Sequence, residues 1–556
     1  MFGERKAKPA PRHLDLRRPA PPRIVESPTV VPGRCAISRL KSNPACAASL
    51  FALVLSLGGC TVGPDFAKPR VSLPDQWLSG SDPRLATETA ADASWWKVFD
   101  DPTLDRLIEL AHRQNLSLQI AGLRIAEARA QFGFATGRQF PQVQEAFAGA
   151  TAIGLSSHTA NVVGFDRHFL TYQLGFDAVW ELDFWGKYRR GVNAEATNLL
   201  ATVADYYSAL VSLTAEVART YVGIRTYEVL IDLAVANARV QQEGLDIARS
   251  RFQNGATSEL DPTQAAILLE STKASIPQLQ LQLQQAQNAL STLLGQTPGA
   301  VDSMLAGPKE IPRAPTKVAI GVPADVLRRR PDVRSAELYA ASQCARIGVA
   351  KADLYPSLSV AGAIGLQAST AANAASHNLF STHSLFYAVG PQINWPFLNY
   401  GRLQNAVRIQ DARFQQLLVS YRDTVLKAAQ EVEDALTGFL NSENALVFER
   451  NAVTAAQKSV ELSLVAYREG ATDFQRVLDA QRSLLQQQDE LAQTNSSVTT
   501  SLIALYKALG GGWEVRRDQP FVQEGMQKEM RARTNWGDLL SEPRSPETKD
   551  QQAGKR

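Results

Sequence analysis

Metal or thiol chemistry needs histidine and cysteine side chains at short, regular spacing, and this 556-residue chain does not supply them. Its four cysteines, Cys35, Cys46, Cys60 and Cys344, are scattered, and Cys344 sits in a helical pattern where a thiol serves as a small packing group. Four of the six histidines, His158, His168, His377 and His383, fall in two polar loops. If copies of the chain assembled around an axis, these histidines could gather into a metal-binding or pH-sensitive collar, but solvated loop positions account for them without it. There is no nucleophile elbow, no phosphate loop and no pair of carboxylates in a pocket-like context. The residue types argue against an enzyme and call for no cofactor and no metal.

One covalent modification is written into the spacing. Arg39 and Lys41 precede an apolar run at 45–57, which ends in Leu57-Gly58-Gly59-Cys60. A positive flank, a short apolar core and small residues before a cleavage point make an export signal rather than a spanning helix. The last four residues resemble the bacterial lipobox, in which Cys60 is acylated and becomes the mature N-terminus; Gly58 is a less usual choice there. Each buried CH2 contributes about 0.8 kcal/mol, so several acyl chains would hold the chain firmly in a bilayer. Thr61 follows rather than Asp, which in the lipoprotein sorting rule implies the outer membrane. Residues 1–33, rich in Pro and Arg, read as an atypical extension of the 1–59 signal, from a misassigned start. Without 1–59 the formal charge falls from +3 to −4, with 48 basic and 52 acidic residues. No concentrated positive footprint remains, so nucleic acid is not an expected partner. Nor does the rest of the chain hold an apolar stretch of about 18 residues that would make a spanning helix.

The elements that position any site come from a duplication. Sliding the chain over itself by 215 residues aligns 115–510 without a gap. Phe140-Pro141 meets Tyr355-Pro356, Trp180 meets Trp395, and Gly186-Lys187 meets Gly401-Arg402. Phe252, Gly255, Ala256 and Thr257 meet Tyr467, Gly470, Ala471 and Thr472. Each copy opens with a helical stretch (102–138; 323–353) that Pro141 or Pro356 ends. Two strand-like segments follow, 142–154 with 170–183 and 358–369 with 385–397, alternating weakly and carrying aromatics near their ends. Then come proline-free stretches, 186–254 and 401–469, each long enough for a helix of about 100 Å. Each turns at a glycine, and a partner helix returns with a heptad: Leu269, Ile276, Leu283 and Leu290, or Leu484, Leu491, Val498 and Leu505. Polar companions such as Thr272, Gln487 and Ser501 suit a tunnel wall better than a dry zipper. The expected layout is a lipidated segment at 60–101, repeats at 102–299 and 323–514, a linker at 300–322, and a disordered tail at 515–556.

A strand pair in lipid must have every backbone group paired, so it belongs in a closed barrel, and four strands cannot close one. The chain must therefore oligomerise around a shared barrel, with its helices extending from it as a tube. Cys60-Thr61-Val62-Gly63-Pro64-Asp65, Trp95-Trp96, the junction from Trp180 to Lys187, and Ala508-Leu509-Gly510-Gly511-Gly512-Trp513 resemble the lipoprotein branch of the TolC-like outer-membrane efflux factors. The resemblance spans 60–514. It implies a mainly α fold with membrane β: a homotrimer with a 12-stranded β-barrel continued by a 12-helix coiled periplasmic tunnel. It also implies partners, namely a periplasmic adaptor, an inner-membrane pump (often of the resistance-nodulation-division class) and outer-membrane lipid.

The same resemblance assigns sites. The turns carrying Arg251, Gly255, Ala256, Tyr467, Gly470 and Ala471 match the hairpin tips that meet the adaptor. Tyr467, Gln475, Asp479 and Arg482 match the inner constriction, where charged rings govern passage. Gln475 stands where relatives often carry an apolar plug, which suggests a wetter closure. The implied function is the outer-membrane channel of a tripartite system exporting small molecules such as drugs. Two alternatives are an envelope coiled-coil spacer, which has no use for the strands, and a protein-secretion conduit of the type I kind.

Overall fold

The absence of proline from two long stretches sets the scale of the molecule. In the computed structural model, which describes residues 61–86, 93–158, 166–315, 317–321, 323–371 and 378–540, both are single helices of 67 residues. Cys60, the rest of the leader, His377 and the end of the tail at 541–556 lie outside the described residues. In chain order the first repeat runs α1 (Pro102–Gln114), α2 (Leu116–Gly137), a strand pair, α3 (Lys187–Gln253) and α4 (Leu260–Leu293). The second runs α5 (Pro323–Arg329), α6 (Pro331–Ala352), a strand pair, α7 (Arg402–Arg468) and α8 (Phe474–Ala508).

Each opening helical stretch is broken, where the sequence suggested continuity, and the break has a purpose. Asn115 leaves the helical conformation, caps α2 through Leu118 N–H at 2.9 Å, and donates its amide to the Leu293 carbonyl at 2.9 Å. The end of α4 thus meets the start of α2, making one interrupted column beside α3. Arg330 makes the matching joint in the second repeat without a side-chain cap, donating to the Ala508 carbonyl at 2.7 Å so that α8 continues into α6. The four columns stand in the order α4/α2, α3, α8/α6, α7. Of the expected heptad residues, Leu269, Leu290, Leu484, Val498 and Leu505 are buried, and Ile276, Leu283 and Leu491 half-buried.

The strands form one antiparallel sheet. Numbering from a short N-terminal strand β1 (Leu85–Ala86), they are β2 (Val143–Gly154), β3 (His168–Leu182), β5 (Ser357–Ser369) and β6 (Leu385–Asn394), in that spatial order. β4 (Val318–Ala319), in the linker, pairs in parallel with β1. The linker is therefore built in: Val301, Leu305 and Ile320 are buried with Trp95, Trp96 and Leu107 in a core at the level of the column breaks.

The tail departs from expectation. Instead of being disordered from 515, it carries helix α9 (Glu524–Arg533) and packs down as far as Leu540. Phe521, Val522, Met530 and Leu540 are buried, the last three around Ala126 of α2. Arg516 and Gln523 donate hydrogen bonds to the carbonyls of His112 and Arg113. Average polarity concealed an apolar face that needs a distant helix to receive it.

Candidate functional site

Side chains alternate across a strand, so the register assigns every sheet residue to a face. Phe176 of β3 stands opposite Ala146, Ile364 and, one strand further, Tyr387. That face carries Leu170, Leu174, Trp180, Val360, Leu385, Val389 and Ile393, all exposed. The other carries every carboxylate of the four strands: Glu145, Asp177 and Glu181. One face therefore suits lipid and the other water, as in a barrel wall. Among the described residues, outer strands β2 and β6 each have one partner only.

Indole anchors tie the sheet to the helices. Trp180 Nε1 donates to the Gln139 carbonyl at 3.1 Å, and Trp395 makes the same bond to Leu354 at 3.2 Å in the second repeat. Gly186 and Gly401 turn strand into helix in the left-handed region, at φ 75° and 79°. The N-terminal segment lies against the first junction, where Val62 N–H donates to the Trp185 carbonyl at 3.1 Å and a Cβ on Gly186 would collide with Thr61.

At the far end, each long helix closes in the same C-cap. Ala256 N–H returns to the Arg251 carbonyl and Ala471 N–H to that of Ala466, with Gly255 and Gly470 at φ 72° and 80°. Ala256 and Ala471 are exposed. The two tips are joined. Tyr467, 1% exposed, donates its hydroxyl to Asp261 Oδ2 at 2.9 Å, and Thr257 donates to the same oxygen. Arg251 stacks over the Tyr467 ring, 4.6 Å from its centroid, and donates to the Tyr467 carbonyl. Burial first, then the Asp261 bond, pushes the Tyr467 hydroxyl pKa up to about 12.

The expected gate residues do not form one cluster. Tyr467 faces inward, whereas Gln475, Asp479 and Arg482 are exposed on α8. There Gln475 donates to Asp479 at 2.9 Å, and Arg482 lies 4.0 Å from Asp479. Sequence reasoning missed Asp261. A signal existed: Arg251, Asp261 and Tyr467 stand opposite Ala466, Arg476 and Phe252 in the other copy, so the latch sits where the duplicates diverge.

A long helical conduit joined to a two-faced sheet defines an outer-membrane channel of the tunnel type. The sequence profile of the outer membrane efflux protein family matches residues 107–296 and 322–511, two segments offset by the same 215 residues as the repeats. The chain belongs to that family and is an outer-membrane efflux channel. It is 31% identical to the pyoverdine export outer membrane protein OpmQ of Pseudomonas putida, over 84% of this chain and 97% of that one. With the cation efflux system protein CusC of Escherichia coli K12 it shares 30% identity, over 83% and 98%. The solved outer-membrane channel OprN superposes with a TM-score of 0.76 at 32% identity, covering 82% of this chain and all of that one.

Proposed function

We propose that three copies of this chain close a 12-stranded barrel over a twelve-helix tunnel, giving small molecules such as drugs an exit through the outer membrane. The observation that carries this reading is the sheet: four strands with a lipid-suited face, a water-suited face and an unpaired edge on each side. Two copies would give eight strands, a bore filled by side chains, so three is the smallest number that leaves a passage. The flanking columns support it. Val419, Leu426, Val447, Phe448 and Leu462 stand exposed on α7 at one side, Leu116, Phe134, Ile267 and Leu281 on α2 and α4 at the other. Each set gives a neighbouring copy something to cover.

Acylated Cys60 adds an anchor, because Thr61 lies at the strand-to-helix junction, the level of the membrane surface in this reading. A periplasmic adaptor docks on the tips at Gly255-Ala256 and Gly470-Ala471, passing cargo from an inner-membrane pump of the resistance-nodulation-division class. The gate combines the Tyr467–Asp261–Arg251 latch with the exposed Gln475–Asp479–Arg482 strip, which three copies bring round the mouth. Native mass spectrometry and planar-bilayer recording test the whole: a trimer with acyl mass at Cys60 and discrete conductance is expected. A monomer without conductance refutes it.

A further inference from the structure

One row of the sheet does not fit a plain water-facing wall. Phe147, Gly175, Gly365 and Phe386 pair in sequence across all four strands, on the face that carries the carboxylates. Their outer backbones are three strand spacings apart, about 14 Å. The phenyl rings nevertheless lean inward until their centroids are 6.5 Å apart, tilted by 41°. The glycines make this possible. A Cβ on Gly175 would come within 2.8 Å of Phe147 Cζ, and one on Gly365 within 2.9 Å of Phe386 Cε1. The rings lean over the glycines instead of standing straight out from the wall, and both stay half-exposed on this face, leaving aromatic surface within reach of a permeant. Two residues nearer the helices, about 7 Å away, Glu145 and Asp177 stand opposite each other in the next row on this face. Gln173 and Gln367 pair on the loop side.

We infer that this row is a contact site for aromatic organic cations in transit through the barrel. The inference rests on the trimeric barrel proposed above, in which three copies place six rings at one level. A cation arriving from the tunnel meets the carboxylates first and then π faces, which attract both aromatic rings and positive charge. Anions of equal size meet the carboxylates as a barrier. Shielding of the glycine backbone alone would also place rings here, but it predicts no selectivity among permeants.

The test is block of single channels by tetraphenylphosphonium, with tetrabutylphosphonium and tetraphenylborate as controls. In the wild type, tetraphenylphosphonium should dwell roughly three- to tenfold longer than its aliphatic counterpart, the range expected of a few aromatic contacts. Tetraphenylborate should dwell least. Phe147→Leu with Phe386→Leu, which keeps apolar cover over the glycines, should abolish the difference between the two phosphonium ions. Glu145→Gln with Asp177→Asn should shorten both dwell times and admit the anion. Equal dwell of the two phosphonium ions in conducting wild-type channels overturns this inference and leaves the barrel standing. That comparison needs no variant to fold. Wild-type trimers that do not conduct at all overturn the barrel and the inference with it.

Discussion

Replacing Tyr467 by Phe removes one oxygen and leaves the ring packed against Phe474, 4.9 Å away, and beneath Arg251. The hydrogen bond lost goes to a carboxylate, a class that contributes about 1.5–3 kcal/mol. Asp261 keeps the Thr257 donor and is half-exposed, so the lower end applies, about 1.5 kcal/mol per chain. If the tips of three chains open independently, the closed-to-open ratio of each falls roughly tenfold; if they open together, the factor is roughly a thousand. Asp479→Ala breaks an exposed ion pair, contributing at most about 1 kcal/mol before salt screening, and the exposed hydrogen bond from Gln475, both open to water, so the latch should dominate. Single-channel recording without any adaptor is the assay, with sensitivity of whole cells to large antibiotics as a second reading. Tyr467→Phe trimers of wild-type heat stability that conduct as the wild type does would refute the latch. The sign of the pH effect is also fixed. A hydroxyl raised from 10 to about 12 contributes fully below pH 10 and is lost only as pH climbs through 12. This bond should therefore give wild-type conductance no slope between about pH 6 and 9.

His112 is buried, accepts or donates one bond with Thr214 at 2.8 Å, and has its pKa held down at about 4 by burial and by Arg516. Its neutral form is favoured by folding, so stability present above pH 6.5 is lost as pH falls towards 4, about 3 kcal/mol in all. His112→Gln should flatten that acid limb in thermal melts; an unchanged limb places the titration elsewhere. Gly122→Val would drive a side chain into the Phe521 carbonyl, so limited proteolysis should open 517–540 while the tunnel core stays resistant. Ala471→Trp, at an exposed tip position, should reduce cross-linking to the adaptor without weakening the trimer, and unaltered cross-linking would move the docking site. Cys60→Ala should remove the acyl mass yet leave some protein inserted, because in the proposed barrel the strands span the bilayer without it.

The long elements were legible because their signals are local. Prolines stop the short helices, glycines turn the long ones, and both strand pairs lie within a residue or two of expectation at their starts. Contacts between distant segments were not legible. The latch joins Asp261 to Tyr467 across 206 positions. The tail looked structureless because its apolar residues are thinly spread among charges, and nothing local announces the face of α2 that receives them. Asn115 and Arg330 sit at equivalent positions of the duplicated unit and make equivalent bonds with unlike chemistry, so the difference in residue type concealed the likeness of role.

Those two joints set the mechanics of the wall. α3 and α7 transmit torsion from the membrane end to the tips without a break, whereas their neighbours are spliced at mid-height and can slip there. In the proposed trimer, part of a twist applied to the tips is taken up at the splices in α4/α2 and α8/α6, and α3 and α7 carry the remainder to the sheet. The splices differ in stiffness. Neutral bonds cross the first, Asn115 to the Leu293 carbonyl and Gln296 to Gln114 at 3.3 Å, while the Arg330 guanidinium is braced by Asp332 at 2.7 Å and Glu431 at 2.8 Å in the second. Under load the first repeat yields first, and amide hydrogens around 114–118 should exchange sooner than those around 329–333.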